Sequence, residues 1–381
     1  MKIDNLDRAI EVLGHVDVLA DEQLCVNSRA RSLYCRSCES ACAAAAITLD
    51  ADGVEVDERL CTGCGACVPS CPAGVFRLAV FDPQRFLDAA AQSAVAHVHC
   101  SESQDGGGGV VIPCHMVLDG RLAAAAMSLG VREMVLHGRL ECRDCRRGDA
   151  NPSVQRARAD LDRWFGDAAM VLRPALAGER AGREEPVHRE DQIKASRRNF
   201  LRLAGARAAA SAAWLVPLAE PQSAVPMPGI SVPGAFKHQP VAYQAVLAGH
   251  VADLPWRDDV VLPWVGRSFA PSCSVCAVCA ERCPTGALSR VTRENLSGIG
   301  FTAALCTNCG LCAIVCPEKS VRAQPARSAD AVTAPGRMLA LHQIGACVRC
   351  GQDYAAIDGA DVCPHCAKEA GMDEDWLEML A

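Results

Sequence analysis

The stretches CSVCAVCAERCP and CTNCGLCAIVCP place Cys273, Cys276, Cys279 and Cys283, then Cys306, Cys309, Cys312 and Cys316, each run ending in a proline. Thiolate is the soft ligand that iron–sulfur clusters require, and two-residue spacing lets one tight loop wrap three sulfurs round a single cube. The fourth cysteine of each run leaves that loop. In two-cluster proteins of this pattern it ligates the other cube. Cys273, Cys276, Cys279 and Cys316 are therefore expected to hold one [4Fe-4S], and Cys306, Cys309, Cys312 and Cys283 the other. Pro284 and Pro317 turn the chain away after the last ligand, as the fixed φ and missing donor of proline require. Structural zinc is the competing use of such thiols.

The N-terminal region repeats this plan less cleanly. CTGCGACVPSCP supplies Cys61, Cys64, Cys67 and Cys71, but its partner SLYCRSCESAC has Ser32 where the first ligand belongs, followed by Cys35, Cys38 and Cys42. Cys25 lies seven residues before Ser32 and is expected to replace it. Cross-ligation then groups Cys25, Cys35, Cys38 and Cys71, and beside them Cys61, Cys64, Cys67 and Cys42. A three-iron or missing first cluster is the alternative. Between the runs, AITLDADGVEVDERL alternates apolar and polar residues about an Asp-Gly turn, the signal of a hairpin. Residues 25 to 82 and again 268 to 325 resemble bacterial-type two-cluster ferredoxins, and the resemblance implies two dicluster modules with four [4Fe-4S] clusters.

A looser group comprises Cys100, Cys114, Cys142 and Cys145. The sequence VVIPCHMVLDGRLAAAAMSLGVREMVLHGRLECRDC reads strand, helix, strand, which puts the later cysteines at the carboxyl ends of parallel strands, where open α/β sheets place ligands. Residues 93 to 165 resemble the delta subunit of methyl-viologen-reducing hydrogenase, a family of small [2Fe-2S] electron-transfer domains. The likeness rests on Cys100, CHMVLDGRL, and a two-cysteine knot before GDANPSVQRARADL; the family's frequent extra cysteine near the first is absent. A [2Fe-2S], a zinc ion and redox-active thiols stand as the three uses of this group. DGGGGV lacks the Lys-Ser/Thr ending of a phosphate loop and reads as a connection. Finally, CVRCG and CPHC form two knuckles, Cys347 with Cys350 and Cys363 with Cys366. They resemble a zinc ribbon, for which zinc, or a rubredoxin-type iron, is the expected metal; His365 within the second knuckle is expected to be surface.

All cysteines are thus assigned to metal sites, which suits 24 of them better than a disulfide framework does. The formal charge of −7 opposes broad nucleic-acid binding. No stretch of about 18 apolar residues offers a membrane span. The opening MKIDNLDRAIEVLGHVDVLADE is acidic and amphipathic, unlike a secretion signal, and reads as a surface helix.

SRRNFLRL, residues 196 to 203, resembles a twin-arginine export signal but sits mid-chain. A fusion seam, a chance amphipathic helix and a peripheral membrane contact through Arg197, Arg198, Arg202 and Arg207 are its three readings. The charged stretch before it and the Pro/Gly-rich stretch after it suit a linker.

The elements needed to position these groups predict an α+β multidomain chain: an N-terminal helix at 1–24, a dicluster module at 25–84, a small parallel-sheet α/β domain at 85–180, a linker at 181–235, a second dicluster module at 236–330 and a zinc-ribbon-like module at 335–381. No nucleophile triad or dinucleotide fingerprint is present. The expected role is a cytoplasmic electron-transfer subunit of an oxidoreductase, with catalysis itself left undecided. By resemblance of parts, its partner is a molybdenum enzyme such as a formate dehydrogenase, or a hydrogenase or heterodisulfide-reductase-type complex. The alternative is an assembly or redox-sensing protein that binds a maturing partner through its ribbon. A third is a reductase working at the Cys100 centre.

Overall fold

The computed structural model describes residues 18–103, 108–138, 142, 145–180, 236–356 and 359–380, the side chains of 373–380 excepted. The twin-arginine-like segment lies outside the described residues. Among the described residues, helices are mixed with strands that form five sheets.

One plan is used twice. In the first copy, β1 (Val18–Ala20) pairs antiparallel with β4 (Phe76–Leu78), and the hairpin β2 (Ile47–Leu49) and β3 (Val54–Val56) lies between them in sequence. Asp50 Oδ1 accepts the backbone N–H groups of Asp52 and Gly53 at 2.8 Å each, closing the Asp-Gly turn. In the second copy, β9 (Val265–Phe269) pairs with β12 (Val321–Pro325) around the hairpin β10 (Leu288–Arg293) and β11 (Leu296–Phe301). Only short helices fit between closely spaced cysteines: α1 (Val26–Ala30), α2 (Ser37–Ala41) and α3 (Cys67–Ser70) in the first, α8 (Val278–Glu281) and α9 (Leu311–Ile314) in the second.

The expected helix over 1–24 is corrected where the chain is described. Residues 18–20 are the edge strand β1 and Glu22–Leu24 is a 3-10 turn, while residues 1–17 lie outside the described residues. Pairing with β4 satisfies the backbone of this segment, which overrides its amphipathic pattern.

The middle domain is a four-stranded parallel sheet of order β6-β5-β7-β8, built from β5 (Val95–Cys100), β6 (Val110–Ile112), β7 (Glu133–His137) and β8 (Val171–Pro174). Its helices are α4 (Pro83–Ala90), α5 (Gly120–Ser128) and α6 (Asn151–Phe165). Asp82 and Asp119 cap the first two, accepting the N–H groups of Arg85 and Leu122 at 2.9 Å. The Ala-rich α5 buries Leu122 to Ala126 completely, so helix and sheet approach closely without large side chains.

The boundary expected at residue 236 is also displaced. Helix α7 (Ala242–Ala248) packs on α5, the Tyr243 hydroxyl donates to the Val117 carbonyl at 2.6 Å, and Trp256 meets both Trp164 and Trp264 edge-on. Residues 241 to 264 thus complete the core of the middle domain, which also takes in Ala326 and Val332 of α10 (Ala329–Thr333) and its approach. Apolar side chains following the linker find a larger apolar face there than on the small second module.

The C-terminal strands β13 (Arg337–Ala346) and β14 (Asp353–Ala356) extend the second hairpin into one sheet of order β10-β11-β13-β14. Helix α11 (Pro364–Leu380) follows. Among the described residues no helix is long and apolar enough to cross a membrane.

Candidate iron–sulfur and metal centres

Cys25, Cys35, Cys38 and Cys71 line one cavity of about 310 Å³, open solvent included. Ser32 is exposed, whereas Cys25 is buried at the start of α1. Asn27 explains how the longer loop reaches: its carboxamide oxygen accepts the N–H groups of Tyr34 and Cys35, and its amide donates to the Cys35 carbonyl at 2.9 Å. Burial pushes the Cys38 thiol up to about 12 and the neighbouring Cys71 adds to it. Cys71 is raised by burial too, against the pull of the N–H groups of Val75, Ala73 and Gly74. Ligand binding must therefore displace protons at this site.

Cys61, Cys64, Cys67 and Cys42 form the adjoining group: Cys67 is raised by burial and by the charges of Cys64, Cys61, Cys38 and Cys42. Cys42 Sγ accepts the N–H of Ala46 at 3.3 Å, and Cys316 Sγ accepts that of Ser320 at 3.3 Å, the same contact at the last cysteine of the first run in one copy and of the second run in the other.

The three complete runs share a backbone signature. Gly63 and Gly65, Val275 and Ala277, and Asn308 and Gly310 all have positive φ, so the second and fourth residues after the first cysteine are left-handed in each loop. Val275 at φ 53° and Ala277 at φ 64° adopt this region despite the steric cost to a side chain. Tyr34 and Arg36, the corresponding residues of the Ser32 run, do not. That run has lost the loop as well as the ligand.

Cys283, Cys306, Cys309 and Cys312 line a second cavity of about 320 Å³, and Arg267 shares its wall. Burial raises Cys309 to about 12. Cys273, Cys276, Cys279 and Cys316 lie beyond it: burial raises Cys279, with Cys312, Cys276, Cys273 and Cys316 adding to it. Cys276 is exposed.

The two copies of the plan are docked cysteine group to cysteine group. Tyr34 donates its hydroxyl to the Cys309 carbonyl at 3.4 Å, Thr307 Oγ1 donates to the Pro72 carbonyl at 2.5 Å, and Leu311 is buried among the first module's core residues. Arg29 donates to the Arg282 carbonyl at 3.1 Å while Arg282 donates back to the Arg29 carbonyl, and both guanidinium groups lie over Phe236.

In the middle domain, Cys100 ends β5 and Cys114 follows β6, at the carboxyl edge of the parallel sheet. The adjacent Cys114 thiol, with Arg147 nearby, lowers Cys100 to about 6 against burial, while Cys100 and burial raise Cys114; Cys100 Sγ lies 3.6 Å from the Pro113 carbonyl. Arg147 donates to Ser101 Oγ at 2.7 Å and to the Thr62 carbonyl at 3.1 Å, and pairs with Glu102 at 3.0 Å. It thereby ties this centre to the Cys61 loop. Cys114, Met116 and Ala150 pack together with Cys64 and Cys142. Cys145 is half-buried, and most of the residues between β7 and Cys145 lie outside the described residues.

The sulfurs of Cys347, Cys350, Cys363 and Cys366 all lie within 4.8 Å of one another. Four thiolates 2.3 Å from one zinc are roughly 3.8 Å apart, so the group suits a single ion. Among the described residues none of the other five cysteine quartets is that tight. Cys363 donates its N–H to Cys347 Sγ at 3.2 Å, and the Cys366 N–H reaches Cys363 Sγ at 3.4 Å. The backbone N–H groups of Cys363, Cys350 and Arg349 lower the Cys347 thiol to about 6. His365 is exposed, 3.6 Å from Glu369. His342 joins ribbon to module through the Cys273 carbonyl at 2.9 Å.

Residues 33–75 match the 4Fe-4S dicluster domain family. This segment is a ferredoxin-type iron–sulfur module. Its span holds Cys35 to Cys71 but begins after Cys25, in keeping with a ligand drawn from outside the usual run. A comparison with curated proteins gives no match to the chain. Asn27, Arg29, Tyr34, Arg147 and Arg267 were not singled out by spacing, since nothing local distinguishes them from surface polar residues.

Proposed function

We propose that the chain is an electron-transfer protein in which both modules and the Cys100 centre form one conduit. Continuity of the sulfur groups carries this reading. Cys114 packs with Cys64, Cys67 lies beside Cys38, Tyr34 spans from Cys35 to Cys309, and Cys312 lies beside Cys279. Clusters at these places would supply one-electron transfer with no bond made or broken. The chain's own residues bury the thiolates, exclude water and keep neighbouring centres docked.

Within this reading, residues 265 to 325 are a second dicluster module, so the chain carries four [4Fe-4S] clusters. A [2Fe-2S] occupies Cys100, Cys114, Cys142 and Cys145, and a closed structural zinc occupies the ribbon. The partners are redox proteins, of which a molybdenum oxidoreductase or a hydrogenase-type complex is the class proposed. Exposed Cys276 gives one end of the series access to a partner, and the half-buried Cys142 and Cys145 give the other. Cysteines grouped at metal-ligand spacing suit a reducing cytoplasm. The test is iron, sulfide and zinc analysis after anaerobic purification, followed by electron paramagnetic resonance of the reduced chain. About 18 iron atoms with interacting spins are expected. Iron near eight with several zincs would remove the conduit and favour an assembly or sensing role.

A further inference from the structure

Arg267 is a buried cation, 4% exposed, on β9. Its Nη2 donates to Asn308 Oδ1 at 2.9 Å, inside the CTNC loop, while its Nε is buried with no partner. Among the described residues no carboxylate lies within ion-pair distance of it. A buried guanidinium left uncompensated is costly, so its counter-charge must be supplied by something the cavity holds. It shares that cavity wall with Cys283, Cys306, Cys309 and Cys312.

A second buried cation approaches the same centre from the other module. Arg29 is 1% exposed, bonded to carbonyl oxygens of Gln23, Lys237 and Arg282, and lies in the field of Cys283 and Cys309. The neighbouring centre has the opposite sign nearby. Glu318 Oε2 lies 3.9 Å from Cys316 Sγ, and its Oε1 accepts the Ser274 hydroxyl at 2.6 Å.

Resting on the reading that these four cysteines hold a [4Fe-4S], we propose that Arg267, assisted by Arg29, makes the Cys283/Cys306/Cys309/Cys312 centre the highest-potential cube of the chain. Reduction adds one electron and one negative charge with no bond broken, and adjacent fixed positive charge favours that state. Arg267 is a positioning and tuning residue; it does not ligate. The centre at the junction of the modules then collects electrons arriving from either side.

The test is a potentiometric titration of the full, anaerobically purified chain with dithionite and mediators, monitored by electron paramagnetic resonance. Cys306→Ser should abolish the most positive [4Fe-4S] midpoint. Arg267→Gln should lower that midpoint alone by at least a tenfold change in the reduction equilibrium, about 59 mV for one electron. Arg267→Lys, which keeps the charge, should shift it less. Survival of the most positive midpoint in Cys306→Ser overturns the proposal, as does Arg267→Gln with full iron and unchanged midpoints. Should Arg267→Gln lose iron, the Cys306→Ser result and the Lys variant decide it. Absence of iron from the wild-type centre would instead remove the underlying cluster assignment, and slow turnover with a partner at the proposed potentials would touch only the conduit role.

Discussion

The hydroxyl of Tyr34 donates to the carbonyl oxygen of Cys309, so a residue flanking a ligand of the first module touches the ligand loop of the second, 275 positions away. Burial raises this phenol above its ordinary range, with Cys309 and Cys35 adding to it. Tyr34→Phe removes one long bond and should cost under about 1 kcal/mol. Tyr34→Ala also opens a cavity at the junction and should cost about 3 kcal/mol, read by denaturant unfolding of the loaded chain. In that variant, spin coupling between modules should weaken while coupling within each module persists.

Cys25 and Ser32 can be separated by substitution. Cys25→Ser should lose or convert one cube, a drop of one to about four iron atoms per chain. Adding Ser32→Cys should not restore it, because Ser32 is exposed and the loop around it lacks the left-handed residues of the complete runs. Full iron recovery in the double variant would mean that the loop can refold onto the ordinary ligand position.

Asn27 offers a test of how that substitute ligand is held. Asn27→Ala leaves the N–H groups of Tyr34 and Cys35 without their acceptor. The expected loss is about 2 kcal/mol, with weakened iron retention at that cube alone.

Glycines in the ligand loops distinguish strain from crowding. Gly310→Ala meets open space at φ 79°, so only the left-handed penalty of about 1 kcal/mol is expected. Gly65→Ala has the same φ, but its Cβ would stand 2.5 Å from Leu78 Cδ1 and 2.6 Å from Val117 Cγ1. Overpacking should add about 1–3 kcal/mol, and thermal melts of the two variants measure the difference.

The ribbon should be separable from the cubes by metal analysis. Cys363→Ser removes a ligand and the sulfur that accepts the Cys366 N–H. Zinc should fall from one per chain to near zero, with iron unchanged.

Much of the site was legible because ligand spacing is local. Each tight loop must carry its own cysteines at fixed intervals, so Cys61 to Cys67, Cys273 to Cys279 and Cys306 to Cys312 could be read directly. The hairpin turn at Asp50 to Gly53 was equally local. What escaped depends on distant partners. Val18 to Ala20 is three residues long, and only Phe76 to Leu78 makes it a strand. The docking of Tyr243, Trp256 and Trp264 on the middle domain depends on faces more than a hundred residues earlier. Arg267 reads as an ordinary polar strand residue until the loop of Cys306 to Cys312 closes over it.

The core shared by Leu122, Trp164, Tyr243 and Trp264 is built from the described residues on either side of positions 181–235. Its two sides belong to one interior, so the covalent connection is dispensable for their association. If the backbone were cut within that span, the two pieces should remain together and copurify. Expressed as separate polypeptides, they should assemble as a heterodimer. A chain that reads as two proteins joined end to end would then be, in folding, one protein that tolerates a break.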